Sequence, residues 1–191
     1  MNWLYKNWPY AAIFTAVFLI LLTPFWYTAF GLPLTLLFLH LPMYQIHQLE
    51  EHYHDRFRLY VNRTVGGGLE ILTASATWWI NCLCVWVLDF VLFYPAFYIN
   101  LGWGLGLIYL VIINGLSHIG MAIRSREYNP GLVTSIILFL PFGGWSLYVI
   151  SAAVQATWFQ QIVGFAIGLA VQIIIIIYIQ GVRAKLMKNR G

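Results

Sequence analysis

Charged side chains are scarce in this 191-residue sequence. Aspartate, glutamate, lysine and arginine together make up 8% of the residues, whereas soluble domains contain roughly 25%. A soluble fold must cover most of its surface with polar groups, and this chain has too few of them. The shortage excludes soluble globular, disordered and secreted disulfide-scaffold proteins. With 61% hydrophobic residues, the chain is predicted to be an integral membrane protein.

Cysteine is scarce as well. The two cysteines, Cys82 and Cys84, are two residues apart in an apolar stretch. On a helix this spacing directs the two side chains to different faces. We therefore predict neither a disulfide nor a thiolate metal pair, and we interpret both residues as buried apolar thiols.

Long apolar runs, by contrast, are abundant. A helix crosses about 30 Å of hydrocarbon with roughly 20 apolar residues, and five or six runs of that kind can be marked. They are approximately residues 9–30, 31–48, 69–97, 103–123, 132–153 and 160–181. Bulky aromatic residues after Leu22 argue against a cleaved signal peptide. The sequence predicts one all-α transmembrane domain over residues 1–191, a bundle of about six helices.

The cationic residues predict the orientation of the bundle. All ten lie before the first run or after the second, fourth and sixth runs: Lys6, Arg56, Arg58, Arg63, Arg124, Arg126, Arg183, Lys185, Lys188 and Arg190. Since Lys and Arg concentrate in cytoplasmic loops, six spans with both termini inside agree with this pattern, and five do not. The scattered cations form no stripe for nucleic acid. We expect a multi-pass protein of a prokaryotic plasma membrane, with the lipid bilayer as its partner.

Ionisable residues in an apolar chain mark functional sites, and four of the five histidines lie with three acidic residues in one short segment. Residues 40–55 contain His40, His47, Glu50, Glu51, His52, His54 and Asp55. If the second helix continues through this segment, His47, Glu50, Glu51 and His54 share one face. On that helix His40 joins the same face about 10 Å away, and His52 is rotated off it.

Adjacent carboxylates beside imidazoles at a membrane boundary require a cation, a shared proton or strong hydration. A divalent metal meets this requirement, because neutral histidine and ionised glutamate are ligands for Zn²⁺, Fe²⁺ or Mn²⁺. The alternative is an amphipathic helix end whose charges lie in water at the interface.

The fifth histidine favours the metal. His118 follows Asn114 by one helical turn near the cytoplasmic end of the fourth run, on the side predicted for His47 and Glu51. A bundle can bring side chains of two helices to one metal. We predict a divalent metal, with Zn²⁺ favoured over Fe or Mn, on His47, Glu51 and His118, with Glu50 as a further ligand if two metals bind.

Three local patterns together resemble the HXXEE-domain membrane proteins. They are His47-Gln-Leu-Glu50-Glu51, Asn114-Gly-Leu-Ser-His118 and Tyr128-Asn-Pro130-Gly131. The resemblance covers roughly residues 35–150 and implies an integral membrane enzyme without specifying its reaction. His52 and His54 lie outside the family motif.

The leading hypothesis is a metal-dependent enzyme, most simply a hydrolase, at the cytoplasmic face. Its substrate is lipid-like, or small and membrane-accessible, because the chain has no soluble domain. Glu50 would be the general base, Asn114 would orient a ligand or bind an oxyanion, and Tyr128 would donate to a leaving group. Oxidation by a histidine-box di-iron centre fits less well, because such oxidases contain more clustered histidines.

Two other classes of function stay open. A proton- or metal-ion carrier or channel would use the same His and Glu residues, and Asp89 in the outer half of the third run favours it as a second polar station. A structural subunit with a stabilising metal is the other class, since Gly164 and Gly168 permit close helix packing and homo-oligomer formation. Most polar residues lie at one side of the membrane, so we prefer the enzyme.

Overall fold

The computed structural model describes residues 2–189, and this part of the chain forms helices and no strand. The helices are α1 (Asn2–His52), α2 (Arg56–Thr64), α3 (Ala74–Tyr98), α4 (Leu101–Ser125), α5 (Leu132–Ala153) and α6 (Trp158–Lys188). Within the described residues, five helical stretches are long and apolar enough to cross a membrane, with α1 and α2 counted as one. The predicted all-α class is therefore confirmed.

Helix α1 is folded back on itself at Gly31. The backbone there has φ 74° and ψ 177°, a conformation that glycine adopts readily because it has no Cβ. The rings of Trp26 and Phe38 stack 4.5 Å apart on either side of this turn, and Trp8 lies 4.9 Å from His52 at the far end. Helix α1 thus consists of two antiparallel limbs, residues 2–30 and 32–52. The turn between them coincides with the boundary that the sequence predicts between the first two apolar runs.

A buried amide joins the second limb of α1 to α3. The side chain of Gln48 donates to Oδ1 of Asn81 at 3.0 Å and accepts from Nε1 of Trp86 at 2.8 Å. Asn81 lies in a π-helical segment, Trp79–Val85, and a second such segment, Ser135–Phe139, interrupts α5. Such turns shift the register of side chains and are frequent near functional sites.

Helix α4 lies at the centre of the bundle, and α6 packs on it through two glycines. A Cβ on Gly164 would lie 2.9 Å from Cβ of Leu105, and one on Gly168 would lie 2.8 Å from the backbone nitrogen of Leu110. Small residues four apart allow backbones in a membrane to approach this closely. The Gly164 and Gly168 pair is therefore used for packing within the chain.

We predict that Gly168→Ala destabilises the fold. The added Cβ would meet backbone atoms of α4, and overpacking of this kind costs about 1–3 kcal/mol. Gly181→Ala is the matched control on the same helix, because nothing lies within 4 Å of its Cβ position. Unfolding in mixed micelles, followed by circular dichroism, should show a loss for Gly168→Ala alone; equal stability of the two variants would contradict the close packing.

Candidate metal centre

Three buried ligand side chains meet between α1 and α4. His47 and Glu51 lie one turn apart on the second limb of α1, and His118 faces them from α4; their exposed fractions are 0%, 4% and 1%. Nε2 of His118 is 3.1 Å from Oε1 of Glu51, and Nε2 of His47 is 3.6 Å from Oε2. One ligand atom from each residue lies within 4.8 Å of the others. The structure thus brings together the trio that the sequence indicated.

The hydrogen bonds of His47 assign its tautomer. Its Nδ1 lies 2.7 Å from Oγ1 of Thr134, and the same hydroxyl donates to Oε2 of Glu50 at 2.5 Å. Because a hydroxyl has one proton to donate, Oγ1 accepts from His47, and Nδ1 carries the proton. The neutral ring of His47 therefore presents an Nε2 lone pair to Glu51.

The hydrogen bonds of His118 lead to the same result. Nδ2 of Asn129 donates to the backbone carbonyl of His118 at 2.9 Å, so Oδ1 of Asn129 faces the ring, where it lies 2.7 Å from Nδ1. An amide oxygen only accepts, so Nδ1 of His118 is assigned the proton. Nε2 of His118 faces Glu51, 3.1 Å from Oε1: it donates to the carboxylate when the ring is protonated and presents a lone pair to a metal when the ring is neutral.

One ring nitrogen at the centre of this cluster is left without a partner. Nε2 of His47 is buried and makes no hydrogen bond, and an unsatisfied buried polar atom is costly. A cation between the two Nε2 atoms and the carboxylate would give Nε2 of His47 a partner. Two neutral imidazoles and one carboxylate are a ligand set of catalytic Zn²⁺ sites, and Nδ1–H bonds to a neighbouring acceptor are typical of metal-ligating histidines. The buried cluster could thus hold a metal ion.

Glu50 points away from the trio, toward the first turn of α5. Its carboxylate accepts from the backbone nitrogens of Val133 (3.1 Å) and Thr134 (2.7 Å), from the Thr134 hydroxyl, and from the hydroxyl of Tyr128 (2.7 Å). Negative charge is favourable at a helix N-terminus. The Glu50 carboxylate caps α5 and holds Thr134 against His47.

Tyr128 lies in the connection between α4 and α5. Its side chain is exposed, and its hydroxyl donates to Glu50. Partial burial and this hydrogen bond raise the pKa of Tyr128 to about 12. The phenol therefore stays protonated at neutral pH and remains a donor.

Gly131 allows this connection to lie against the cluster. Its φ of 98° is in the region that favours glycine. A Cβ there would lie 2.5 Å from Cε1 of His118 and 2.9 Å from Cγ of Glu51. Any larger residue would push the connection away from the two ligands.

Asn114 lines a small cavity beside Glu51 and His118. The cavity measures about 80 Å³, and its other polar lining residues include His52, Ser117 and Gln172. Oδ1 of Asn114 and Nε2 of Gln172 are buried without hydrogen-bond partners. The volume corresponds to two or three waters at roughly 30 Å³ each, so the cavity offers one free acceptor and one free donor to a small polar group.

The family can now be named from comparison with known sequences. A family model described as "protein of unknown function with HXXEE motif" matches residues 38–146, more than half of the chain. The chain belongs to the HXXEE family. No curated protein and no solved structure gave a significant match. The matched range contains His47, Glu51, His118 and the connection that holds them.

Two expectations for neighbouring histidines are wrong. The helix does not continue to His54, because α1 ends at His52 and both His54 and Asp55 have positive φ, 53° and 64°; the side chain of His54 is exposed. His52 is not rotated away from the cluster. With the helix ending there, its Nε2 lies 3.4 Å from Oε2 of Glu51, and its side chain is buried.

Sequence reasoning missed the residues that hold the ligand rings. Asn129 lies in the Tyr128–Gly131 motif, at a position the motif leaves unspecified, and Thr134 belongs to no motif. Each contacts a histidine that is distant in the chain, by 11 residues for Asn129 and by 87 residues for Thr134, and local spacing does not reveal such contacts.

His40 lies apart from the trio. Its ring is buried against Phe142, with 4.9 Å between the ring centres, and both of its ring nitrogens lack hydrogen-bond partners.

Thr134 provides a test of this arrangement. We expect Thr134→Val to fold but to bind Zn²⁺ about 10–100-fold more weakly, as loss of an outer-shell partner typically does, because His47 loses the acceptor that holds its Nδ1 proton. Thr134→Ser keeps the hydroxyl and should keep the affinity. Competition with a chromophoric chelator, on protein in lipid nanodiscs, measures both. Equal affinities for the Val and Ser variants would show that Thr134 does not position the ring.

Proposed function

We propose that this HXXEE protein is a metal-dependent membrane enzyme, most simply a hydrolase, with Zn²⁺ on His47, Glu51 and His118. The observation that carries the proposal is the convergence of Nε2 of His47 and Nε2 of His118 on the Glu51 carboxylate. Three protein ligands leave a fourth position open, as catalytic zinc requires. When bound, the ion would polarise a carbonyl or phosphoryl oxygen and lower the pKa of a bound water.

The small cavity beside the trio supports a role in chemistry over a purely structural metal. The unpaired Oδ1 of Asn114 and Nε2 of Gln172 would hold the polar group of a substrate, one as acceptor and one as donor. An ester or an amide has a carbonyl oxygen that would accept a hydrogen bond from Nε2 of Gln172. Met121, Ile175 and Ile179 are among the apolar residues of the lining, which suits a small hydrophobic substrate or the reacting group of a lipid-like one.

The contacts suggest roles for the remaining residues. Glu50 is a positioning residue, because its carboxylate holds α5 and Thr134 and so orients His47. We assign the proton-accepting role to His52, which lines the cavity and has both ring nitrogens unpaired. Tyr128 donates to Glu50, and as a protonated phenol it would also donate to a leaving group that reached this connection.

The membrane topology belongs to the same proposal. If the two limbs of α1 cross separately, the five apolar helical stretches make six crossings, with both termini on one side. The packing of Trp8 against His52 and the ion pair of Arg63 with Glu127 at 2.8 Å join the cation-bearing ends of the two limbs of α1, of α2 and of α4. Positive-inside sorting would make this the cytoplasmic side, and the cluster of His47, Glu51 and His118 lies at this end.

One observation favours the carrier alternative. Asp89 is buried in α3 with Oδ2 unpaired, so a polar group does lie away from the metal centre. Gln48, Asn81 and Trp86, by contrast, bind one another, so these three side chains offer no free group for relay. The enzyme remains the better-supported function.

Elemental analysis tests the metal. We expect about one Zn²⁺ per chain in protein purified without chelator, by the ligand count of such sites. Glu51→Gln and His118→Ala should lose most of it, because each removes a ligand. His54→Ala, which changes an exposed histidine, is the control and should retain it. Metal-free wild type, or undiminished metal in His118→Ala, would overturn the assigned site.

A reconstitution experiment separates catalysis from transport. Proteoliposomes made from a total bacterial lipid extract are loaded with Zn²⁺. Released fatty acids and head groups are measured by mass spectrometry, and metal and proton flux are measured in parallel on the same preparation. We expect product from wild type, a loss of at least about 100-fold in Gln172→Leu, which removes the free donor for the developing charge, and no flux. Flux that depends on Glu51 without any product would establish the carrier.

A further inference from the structure

A second, larger cavity lies between the two limbs of α1 and α3. It measures about 280 Å³ and lies closer than the metal centre to the turn at Gly31, with Trp26, Leu37 and Phe38 in its wall. An engineered apolar cavity of about 150 Å³ already binds benzene. The space is therefore large enough for a small organic molecule, and the metal-centre proposal makes no use of it.

Two polar atoms in the lining of this cavity have no partner. Asp89 is 5% exposed and Gln45 is 1% exposed, both side chains line the cavity, and Oδ2 of Asp89 and Oε1 of Gln45 make no hydrogen bond. The other polar side chains there are satisfied: Thr15 donates to the carbonyl of Ala11, and Trp86 donates to Gln48. The cavity thus offers two free acceptors, Oδ2 of Asp89 and Oε1 of Gln45.

The chain supplies no cation for the Asp89 carboxylate. Its ten Lys and Arg residues lie at positions 6, 56–63, 124–126 and 183–190, and no ion pair of Asp89 occurs within residues 2–189. A buried carboxyl in this position is either protonated or paired with a cation, and carboxyl groups within membranes commonly serve as counter-ions to ligands. A bound cation would give Asp89 the partner that the chain does not supply.

The remaining lining selects the kind of cation. Five aromatic rings line the cavity: Trp26, Phe38, Trp86, Phe90 and Phe93. Aromatic faces attract organic cations and bury an apolar body. A hydrated metal ion would find only two oxygen ligands here, whereas metal sites for hard cations use six or more.

We infer that this cavity binds an organic ammonium ion that carries a small apolar body. The ammonium group has three N–H donors, enough for Oδ2 of Asp89 and Oε1 of Gln45 together, and its charge compensates the carboxylate. Its hydrocarbon part packs against the aromatic rings. The inference is independent of the metal centre, because it involves none of the metal-ligating side chains.

Binding of n-octylammonium to the full-length protein tests this inference. Radiolabelled octylamine is titrated into protein-containing nanodiscs, and uptake by protein-free nanodiscs is subtracted. We expect saturable binding that n-octanol and n-octane displace weakly. Asp89→Asn, which keeps the shape, should lower the affinity about tenfold or more, since a hydrogen bond to a charged group is lost. Glu70→Gln removes an exposed carboxylate and should leave binding unchanged.

Leu41→Phe provides a second test that leaves Asp89 intact. It narrows the cavity and should also reduce octylamine binding if the cavity is the site. Equal binding by wild type and Asp89→Asn, or displacement by octane as efficient as by unlabelled octylamine, would overturn the inference. Proton flux in proteoliposomes that Asp89→Asn abolishes, without any octylamine binding, would also overturn it by assigning Asp89 to an ion pathway. These measurements do not depend on the zinc content of the protein, so their outcome is separate from that of the metal-site test.

Discussion

The burial of Glu51 among imidazoles is the constraint on which the rest of this structure depends. A carboxylate that is 4% exposed inside an apolar bundle must have its charge compensated. The ring nitrogens of His47, His52 and His118 all approach it within 3.6 Å. A proton on His118 can compensate the carboxylate, and a metal ion held by His47, Glu51 and His118 could do so as well.

The neighbouring segments serve to hold these side chains in place. Glu50 caps α5 and binds Thr134, which in turn accepts the Nδ1 proton of His47. Gly131 lets the α4–α5 connection approach His118 without a steric clash. The two adjacent glutamates therefore have opposite orientations: one faces the cation site, and the other faces the helix terminus that supports it. Such outer contacts orient ligands and tune their basicity.

Part of the site could be predicted from the sequence. His47 and Glu51 are one helical turn apart, which is a local property of α1, and His118 was expected on the same side because the cation pattern predicts the direction of each helix. The positions of His52 and His54 could not be predicted, because they depend on the end of α1 and the left-handed backbone at His54 and Asp55. The partners Asn129 and Thr134, and the contact of Gly164 and Gly168 with α4, depend on packing between distant segments.

The amino-acid sequence by itself determined the all-α class of this protein and the approximate apolar runs that become helices long enough to span a membrane. Composition and the length of an apolar run are properties of a local segment, so they can be read without any tertiary contact. Only the tertiary structure decided that Glu50 and Glu51 diverge, that His52 approaches the cluster, and that Asp89 and Gln45 share a cavity with no cation. These outcomes depend on which helix faces which. That is set by the turn at Gly31, by close approach at Gly131, Gly164 and Gly168, and by the pairing of buried polar atoms. In an apolar bundle each polar atom needs a partner, and the unpaired atoms beside the trio and in the cavity of Asp89 and Gln45 mark two places where a ligand is expected.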